Sequence, residues 1–406
     1  MTRSYCPYSF CKAISGAAIT ALILMSPFAH YQAVAQQQSA KGGQQAPPPD
    51  SAAEHAALHA ERSNRAFYSK KFDLSALPHY SPKQQVSGTL RIWGNNYIGD
   101  SDLGAWWNEA FTHFHPNIKF EYNLPSAAIA IPALYFGLAD IGMDHEPTFY
   151  DYLSHVRVKG FAPTGISVVT GSYDVAGWQN SIVVVVQKSN PLPKITMKEL
   201  DGVFGSVRDG GWVGEVWHPE FARGPEEDIR RWGQLGLTGE WTNRRINVYG
   251  YTPRYATALE FSNKVLRSSD KWNGDLHAYG NWRRPDGTIY GQDKQILDHL
   301  RRDPNGIAFV RYSEGFPPDL RVLAIAATKA GPYIEYTIDT VQNRSYPLWG
   351  DQSFWVGVKP GTKMDPKVRE FVTFVLSREG QELVMKDGKY LPLTAEIATV
   401  ERNKLE

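Results

Sequence analysis

The side chains best suited to chemistry stand together at Asp144-His145-Glu146. Carboxylates and imidazole rings bind metal ions and carry protons in general acid–base catalysis. Three consecutive residues cannot readily surround one ion, however, and no second histidine motif follows them in the chain. The cluster does not by itself indicate a metal site, and we predict neither a bound metal nor a cofactor.

The familiar catalytic motifs are missing from the sequence. It contains no phosphate-binding loop, no dinucleotide fingerprint, no His-Glu-x-x-His zinc motif and no Gly-x-Ser-x-Gly elbow. Ser268-x-x-Lys271 has the spacing of one serine-hydrolase motif but lacks its companion motifs. These absences favour a binding protein over an enzyme. An exported hydrolase that uses Asp144, His145 and His218 is kept as a remote alternative.

The first 35 residues have the layout of a secretory signal peptide. Arg3 and Lys12 precede an apolar stretch at residues 13–25, and Ala33-Val34-Ala35 supplies the small residues that signal peptidase requires. The apolar stretch is shorter than the ~20 residues that a membrane-spanning helix needs. We therefore predict cleavage after Ala35 and a protein that is exported to the periplasm or secreted.

Composition limits the class of function. Of the 406 residues, 42% are hydrophobic and 21% are charged, as in ordinary globular proteins. The formal charge of +1 becomes −1 when Arg3 and Lys12 leave with the leader, which argues against a nucleic-acid partner. Both cysteines, Cys6 and Cys11, also lie in the leader, so we predict a mature chain without disulfide bonds.

Residues 36–85 differ from the rest of the chain. Gln36-Gln37-Gln38, Gly42-Gly43 and Pro47-Pro48-Pro49 are typical of a polar, proline-rich tether. A disordered extension and a spacer that holds the protein away from a membrane both fit this composition.

From residue 86 onward, strand and helix patterns alternate. Leu90 and Ile92 alternate with polar residues as in a strand, residues 103–114 repeat apolar side chains at helical spacing, and residues 118–122 form the next strand. The apolar run at residues 182–186 is typical of a strand buried on both faces. We predict an α/β fold of mostly parallel sheets flanked by helices.

Three local predictions concern the rest of the chain. Thr196 and Glu199 form a capping box at the start of a helix. Residues 205–240, rich in Gly and Trp, are interpreted as loop. A single helix is predicted from Asp365 to Gly388.

Stretches spread over residues 86–396 carry a resemblance through their order. They are residues 86–92 with 106–111, 132–142, 181–187 with 190–192, 195–204, 232–237, 368–371, Leu376-Ser377-Arg378-Glu379-Gly380-Gln381-Glu382 and 391–393. Together they resemble the phosphate-type periplasmic substrate-binding proteins of ABC transporters. The resemblance implies a two-lobed type II periplasmic-binding-protein fold. Lobe one would comprise residues 86–178 and 346–406, and lobe two residues 179–345, joined by two crossover segments.

The resemblance also implies a mechanism and a set of partners. The lobes would close over a small ligand, most simply phosphate or a related anion, and present it to an ABC transporter permease. Such proteins bind the oxyanion with hydroxyl groups, backbone N–H groups at helix N-termini, an Arg and an Asp. The corresponding candidates here are Asn95, Asn96, Tyr97, Ser126, Asp144, His145, Tyr251, Arg254, Tyr255 and Thr257.

Several of these candidates depart from the family pattern. Tyr251 stands where the family has Arg, although Arg254 lies in the same loop, and Thr257 alone is kept from a Ser-Gly-Thr motif. One interpretation keeps a small anion, bound through Asn95, Asn96, Ser126, Arg254 and Thr257. A second accommodates a larger, less anionic solute edged by Tyr97, Tyr251 and Tyr255. A third is an envelope scaffold without a ligand.

Overall fold

The computed structural model describes residues 68–95, 97–144, 146–175, 178, 181–312 and 316–406. The predicted signal peptide and the tether up to residue 67 lie outside the described residues. Within those ranges, no helix combines the length and apolar character needed to cross a bilayer.

The first part of lobe one alternates strands and helices. Its elements are β1 (Gly88–Gly94), α1 (Leu103–Phe114), β2 (Ile118–Asn123), α2 (Ala130–Phe136), β3 (Ile141–Asp144), α3 (Phe149–Lys159) and β4 (Thr164–Thr170). Leu90 and Ile92 are buried while their neighbours in β1 are more exposed, which confirms the predicted alternation. Gly94 ends β1 so close to Met143 that a Cβ there would stand 2.0 Å from the Met143 carbonyl oxygen. Only glycine therefore fits this position.

Lobe two follows as one continuous segment. Its elements are β5 (Ile182–Gln187), β6 (Lys194–Thr196), α4 (Met197–Phe204), β7 (Gly211–Val213), β8 (Val216–His218), β9 (Asn247–Tyr251), α5 (Ala256–Val265), β10 (Leu276–Tyr279), β11 (Trp282–Arg283), β12 (Ile289–Tyr290), α6 (Gln292–Leu300), β13 (Gly306–Arg311), β14 (Leu320–Val322), β15 (Ala324–Ala326) and α7 (Ile338–Gln342). The first five residues of β5 are buried, as predicted. The capping box is confirmed, because the Glu199 N–H donates to Thr196 Oγ1 and the Thr196 N–H donates to Glu199 Oε2.

The segment predicted as loop contains structure of its own. The strands β7 and β8 pair as a hairpin, with Trp212 opposite Trp217. Farther along, the 3₁₀ turn Trp232–Leu235 places Trp232 fully inside the core of lobe two. Strands of three residues and single turns are too short to show a repeated spacing of apolar side chains, so the sequence of residues 205–240 predicts a loop.

The chain then returns to lobe one. The returning elements are β16 (Asp351–Val356), α8 (Pro366–Val375), α9 (Arg378–Asp387) and α10 (Ala395–Asn403). The prediction of one continuous helix here was wrong. Ser377 has extended backbone angles (φ −83°, ψ 173°), and its Oγ accepts a hydrogen bond from the Gly380 N–H at 3.3 Å. Ser377 thus ends one helix and caps the next.

Each lobe is built on a mixed five-stranded sheet. The strand orders are β2-β1-β3-β16-β4 in lobe one and β10-β9-β13-β5-β14 in lobe two. The first two pairings in each order are parallel and the last two are antiparallel. Four strands of each sheet therefore run in one direction and one strand, β16 or β5, runs against them, which confirms the prediction of mostly parallel sheets. β5 and β16 enter their lobes directly from the crossovers and run against their neighbours, rather than arriving through a helical crossover within the lobe.

Part of the predicted tether packs against the lobes. Leu74, Leu77 and Tyr80 are buried in the core of lobe one, and Phe72 packs against the cores of both lobes. The Tyr80 hydroxyl donates to Glu370 Oε2 at 2.8 Å and lies 2.7 Å from Nε2 of His115. The stretch from residue 68 to 85 is therefore part of the folded unit.

Tyr80→Phe is expected to lower the free energy of unfolding by about 1–3 kcal/mol, because the buried Glu370 carboxylate loses a donor. Chemical denaturation of the purified protein measures this loss. Tyr150→Phe is the matched control, since the Tyr150 side chain is 68% exposed. Equal stability of the two variants would show that the polar contact of residues 68–85 contributes nothing to the fold.

Candidate functional site

The two lobes meet where several strands end. In lobe one, β1 and β3 end at Gly94 and Asp144, and in lobe two β9 ends at Tyr251. Ligands of α/β sheets bind beyond such strand ends, next to helix N-termini. The lobes touch across this cleft, because the rings of Phe149 in α3 and Trp212 in β7 lie 4.3 Å apart between centroids.

Arg311 supplies the guanidinium of the cleft. It is the last residue of β13, and its side chain is only 15% exposed. Nε donates to Thr257 Oγ1 and Nη2 donates to Glu260 Oε2, each at 2.9 Å. Burial opposes the charge of Arg311, but the Glu260 carboxylate raises its pKa above the ordinary value. The guanidinium is thereby held, charged and oriented, at the first turn of α5.

Asn95 is the buried amide of the first loop. Its Nδ2 donates to Gln352 Oε1 at 2.6 Å, and its Oδ1 accepts from the Tyr97 N–H at 3.3 Å. The backbone N–H of Asn95 donates to the Met143 carbonyl at 2.9 Å. Gln352 Nε2 is buried with no hydrogen-bond partner among the described residues. The hydrogen bond to Gln352 therefore fixes the side-chain amide of Asn95, which is a donor in the first loop.

Tyr97 connects the first loop with the facing lobe. Its ring lies 6.0 Å from that of Trp178, in the crossover region, at an interplanar angle of 42°. Its phenol is also near enough to Arg311 to contribute to the raised pKa of that guanidinium. Tyr97 therefore lies within electrostatic range of Arg311.

Two other predicted residues take different places. Asp144 is the buried end of β3, opposite Ser353 of β16. Ser126 is exposed and caps the 3₁₀ turn Ala127–Ile129 by accepting from the Ala128 N–H at 3.3 Å. Its own N–H donates to the Gly94 carbonyl at 3.1 Å, which ties this cap to the end of β1.

Glu146 places a carboxyl group in the contact between the lobes. It follows β3, and its side chain hydrogen-bonds Asn263 of α5. Burial raises the pKa of Glu146 to about 7, assisted by the negative charges of Glu260 and Asp351 and opposed by Lys264. Glu146 therefore holds a proton near neutral pH while the lobes are in contact.

No family model matches the chain. Comparison with curated proteins finds the phosphate-binding protein PstS of two Pseudomonas aeruginosa strains, 26% identical over 326 residues, covering 80% of this chain and 88% of PstS. The chain is homologous to PstS. Solved structures similar to it include PstS from Borrelia burgdorferi (15% identity, TM-score 0.46, covering 76% of this chain and 100% of that one) and an ABC-type phosphate transport receptor from Vibrio cholerae (14%, 0.45, 74% and 99%). The homology to PstS confirms the predicted resemblance.

The buried guanidinium of the cleft lies at the end of β13 rather than in the loop after β9. Tyr251, at the position where the resemblance expected Arg, is fully buried. Its hydroxyl donates a hydrogen bond to Asp293 and accepts one from the Arg311 backbone N–H at 2.8 Å. Tyr251 therefore fixes the backbone of Arg311. Arg254, the predicted substitute, is exposed. A usable signal is present in the sequence, because Arg311 directly follows the apolar run Ile307-Ala308-Phe309-Val310, which is typical of a buried strand.

The remaining candidates take different places. Tyr255 is half-buried, and its hydroxyl accepts a hydrogen bond from the Asn281 N–H at 2.9 Å. This contact holds the Tyr255 side chain within lobe two. Thr257 is buried in the first turn of α5 and contacts Arg311. Asn96 and His145 lie outside the described residues.

The candidate catalytic residues lie apart or are engaged in local contacts. Among the residues that the structure describes, no three His, Cys, Asp or Glu side chains are grouped to hold a metal ion. His218 lies 2.7 Å from Glu220 through Nδ1 and stacks on Phe221. Ser268 donates to Asn263 Oδ1 at 2.8 Å, while Lys271 is exposed.

Proposed function

We propose that the protein is an exported solute-binding protein that captures phosphate or a related small oxyanion between its lobes. It would act in the periplasm and present the bound anion to an ABC transporter permease. The Pseudomonas aeruginosa relative is named as a phosphate-binding protein, which supports this assignment. No bond is made or broken in the proposed role.

The fixed guanidinium of Arg311 is the observation that carries the proposal. An oxyanion is bound best by charge-assisted donors that are already oriented, and Arg presents several in one plane. Thr257 and Glu260 hold that plane near the N-terminus of α5, where the helix dipole also favours negative charge. These groups replace the donors that the substituted family positions lack.

The first loop contributes from the opposite lobe. Asn95 is fixed by Gln352, and Tyr97 is near Arg311, so lobe one adds neutral donors to a charged group of lobe two. An anion that contacts both sets of donors stabilises the arrangement in which the lobes touch. Capture would therefore be coupled to closure, the usual behaviour of a ligand that binds one arrangement better than the other.

Phosphate is expected to stabilise the purified protein against heat. A ligand at about 100 times its dissociation constant adds about 2.7 kcal/mol of stability, which corresponds to a rise in Tm of roughly 3–6 °C for a protein of this size. Differential scanning calorimetry with phosphate, and with glucose as the uncharged control, measures this. An unchanged Tm in millimolar phosphate, after refolding from denaturant to remove carried-over ligand, would refute phosphate as the solute.

A further inference from the structure

A cavity of about 480 Å³ lies between the lobes beside α5. Phe149 and Tyr150 line it from lobe one, and Pro253, Leu259 and Trp272 line it from lobe two. These five lining residues are apolar or aromatic, and they come from both lobes. A cavity of this size and lining is typical of sites for small organic molecules, which occupy ~300–1,000 Å³.

A series of neighbouring residues links the cavity to the pair formed by Glu260 and Arg311. A smaller space of about 170 Å³ shares Phe149, Asn263 and Ser268 with it and is lined by Glu146 as well. Glu146 is in turn within the field of Glu260, whose carboxylate binds Arg311. Leu259 and Thr257 lie on different sides of α5, so the larger cavity is about one helix diameter, ~10 Å, from the guanidinium. An extended ligand could span this distance.

The loop that forms one wall has a strained backbone. Arg267, Ser268 and Asp270 have φ values of +58°, +51° and +53°, in the left-handed region that favours glycine. Ser268 and Asp270 line the cavity, and Ser268 is fixed by its hydrogen bond to Asn263. Strain of this kind is concentrated at functional sites, because surrounding structure must maintain it.

The aromatic wall is anchored in the core of lobe two. The Trp272 indole stacks on Phe261 at 6.0 Å and on Phe309 at 5.8 Å, with interplanar angles of 21° in both cases. Both phenylalanines are fully buried. A wall held in this way needs no reordering when a ligand arrives, which favours binding.

We propose that this cavity is a subsite for the apolar arm of a phosphate monoester or phosphonate whose phosphoryl group binds at Arg311. The inference rests on the proposed function and narrows its substrate class. Inorganic phosphate has only five heavy atoms and would leave the cavity empty. An organic phosphoryl compound would fill both places and would be covered by both lobes at once.

A series of n-alkyl phosphates tests the proposal by isothermal titration calorimetry. Inorganic phosphate and the methyl, butyl, octyl and dodecyl monoesters are compared on the wild-type protein. Once the arm reaches the cavity, affinity is expected to rise about threefold per added methylene, reaching on the order of 10- to 100-fold over inorganic phosphate. Affinity that stays flat or falls with arm length, while phosphate still binds, would overturn the subsite and leave the proposed function intact.

Two variants test whether the gain in affinity arises from contacts in the cavity. Leu259→Ala is expected to remove most of the gain from the alkyl arm while changing inorganic phosphate affinity less than threefold, because Leu259 lines the cavity on the side of α5 away from Thr257. Phe136→Ala, on α2 and 69% exposed, is the matched control and is expected to change neither. Equal loss for both ligands in Leu259→Ala would place its effect on the packing of α5 and contradict the subsite. Failure of every phosphoryl compound to bind would remove the proposed function and this inference together.

Discussion

Replacing Arg311 and Glu260 together with glutamine is expected to weaken phosphate binding by at least about 100-fold. Hydrogen bonds from a charged donor to a charged acceptor contribute about 1.5–3 kcal/mol each, and a guanidinium can supply two to one phosphoryl group. Calorimetric titration with phosphate measures the loss directly. The double variant is preferred to Arg311→Gln alone, which would leave the buried Glu260 carboxylate unpaired and destabilise the fold.

Two single variants serve as controls for this experiment. Glu260→Gln keeps the guanidinium and removes its counter-charge, so it is expected to bind phosphate as tightly as the wild type or more tightly. Arg254→Gln changes the exposed arginine that the sequence pattern favoured, and is expected to alter affinity less than threefold. A large loss of phosphate affinity in Arg254→Gln, or no loss in the double variant, would show that the anion is bound by the loop after β9 and not by Arg311.

Phosphate affinity is also expected to fall as pH rises, through the contact that Glu146 makes between the lobes. An ordinary glutamate has a pKa near 4.5, whereas burial raises the pKa of Glu146 to about 7 when the lobes are in contact. Below both values the group is protonated in either state and imposes no penalty. Between about pH 4.5 and 7 the carboxyl ionises when the lobes separate but remains protonated when they touch. Closure therefore becomes progressively less favourable over that interval.

The expected loss between pH 5 and pH 8 is on the order of 10- to 50-fold in affinity. Phosphate itself titrates in this range, so the measurement is the ratio of wild-type to Glu146→Gln affinity at each pH, in which the ionisation of the ligand cancels. Titration in two buffers of different ionisation enthalpy should also show proton uptake by the wild type beyond that of the variant. A ratio independent of pH would mean that Glu146 is not involved in closure.

The fold was largely predictable because its signals are local. Alternation at Leu90 and Ile92, the apolar run of β5 and the capping box at Thr196 each involve residues a few positions apart, and each is confirmed. Ser377 shows the limit of such reasoning. Apolar spacing continues across the boundary between α8 and α9, while the helix break depends on one hydroxyl that caps the following turn.

The site was less predictable because its contacts are distant in sequence. Arg311 meets Thr257 across 54 positions, and Asn95 meets Gln352 across 257. Neither contact leaves a pattern within either segment. Alignment with the family pattern points to Tyr251 and Arg254. The side chain that reaches α5 is instead that of the last residue of β13, and the register between β13 and β9 places it there. The pairing of strands, rather than the content of a loop, supplies the guanidinium.

The order of strands in lobe one determines when each lobe can be completed as the chain emerges. β16 lies between β3 and β4, yet it is the last strand of the chain. Lobe two has all of its strands before β16 arrives, so it can finish first although its sequence begins second. Until then, the facing edges of β3 and β4 are unpaired, and such edges invite pairing with other chains. Delivery of β16 is therefore the step at which these two inner edges become paired.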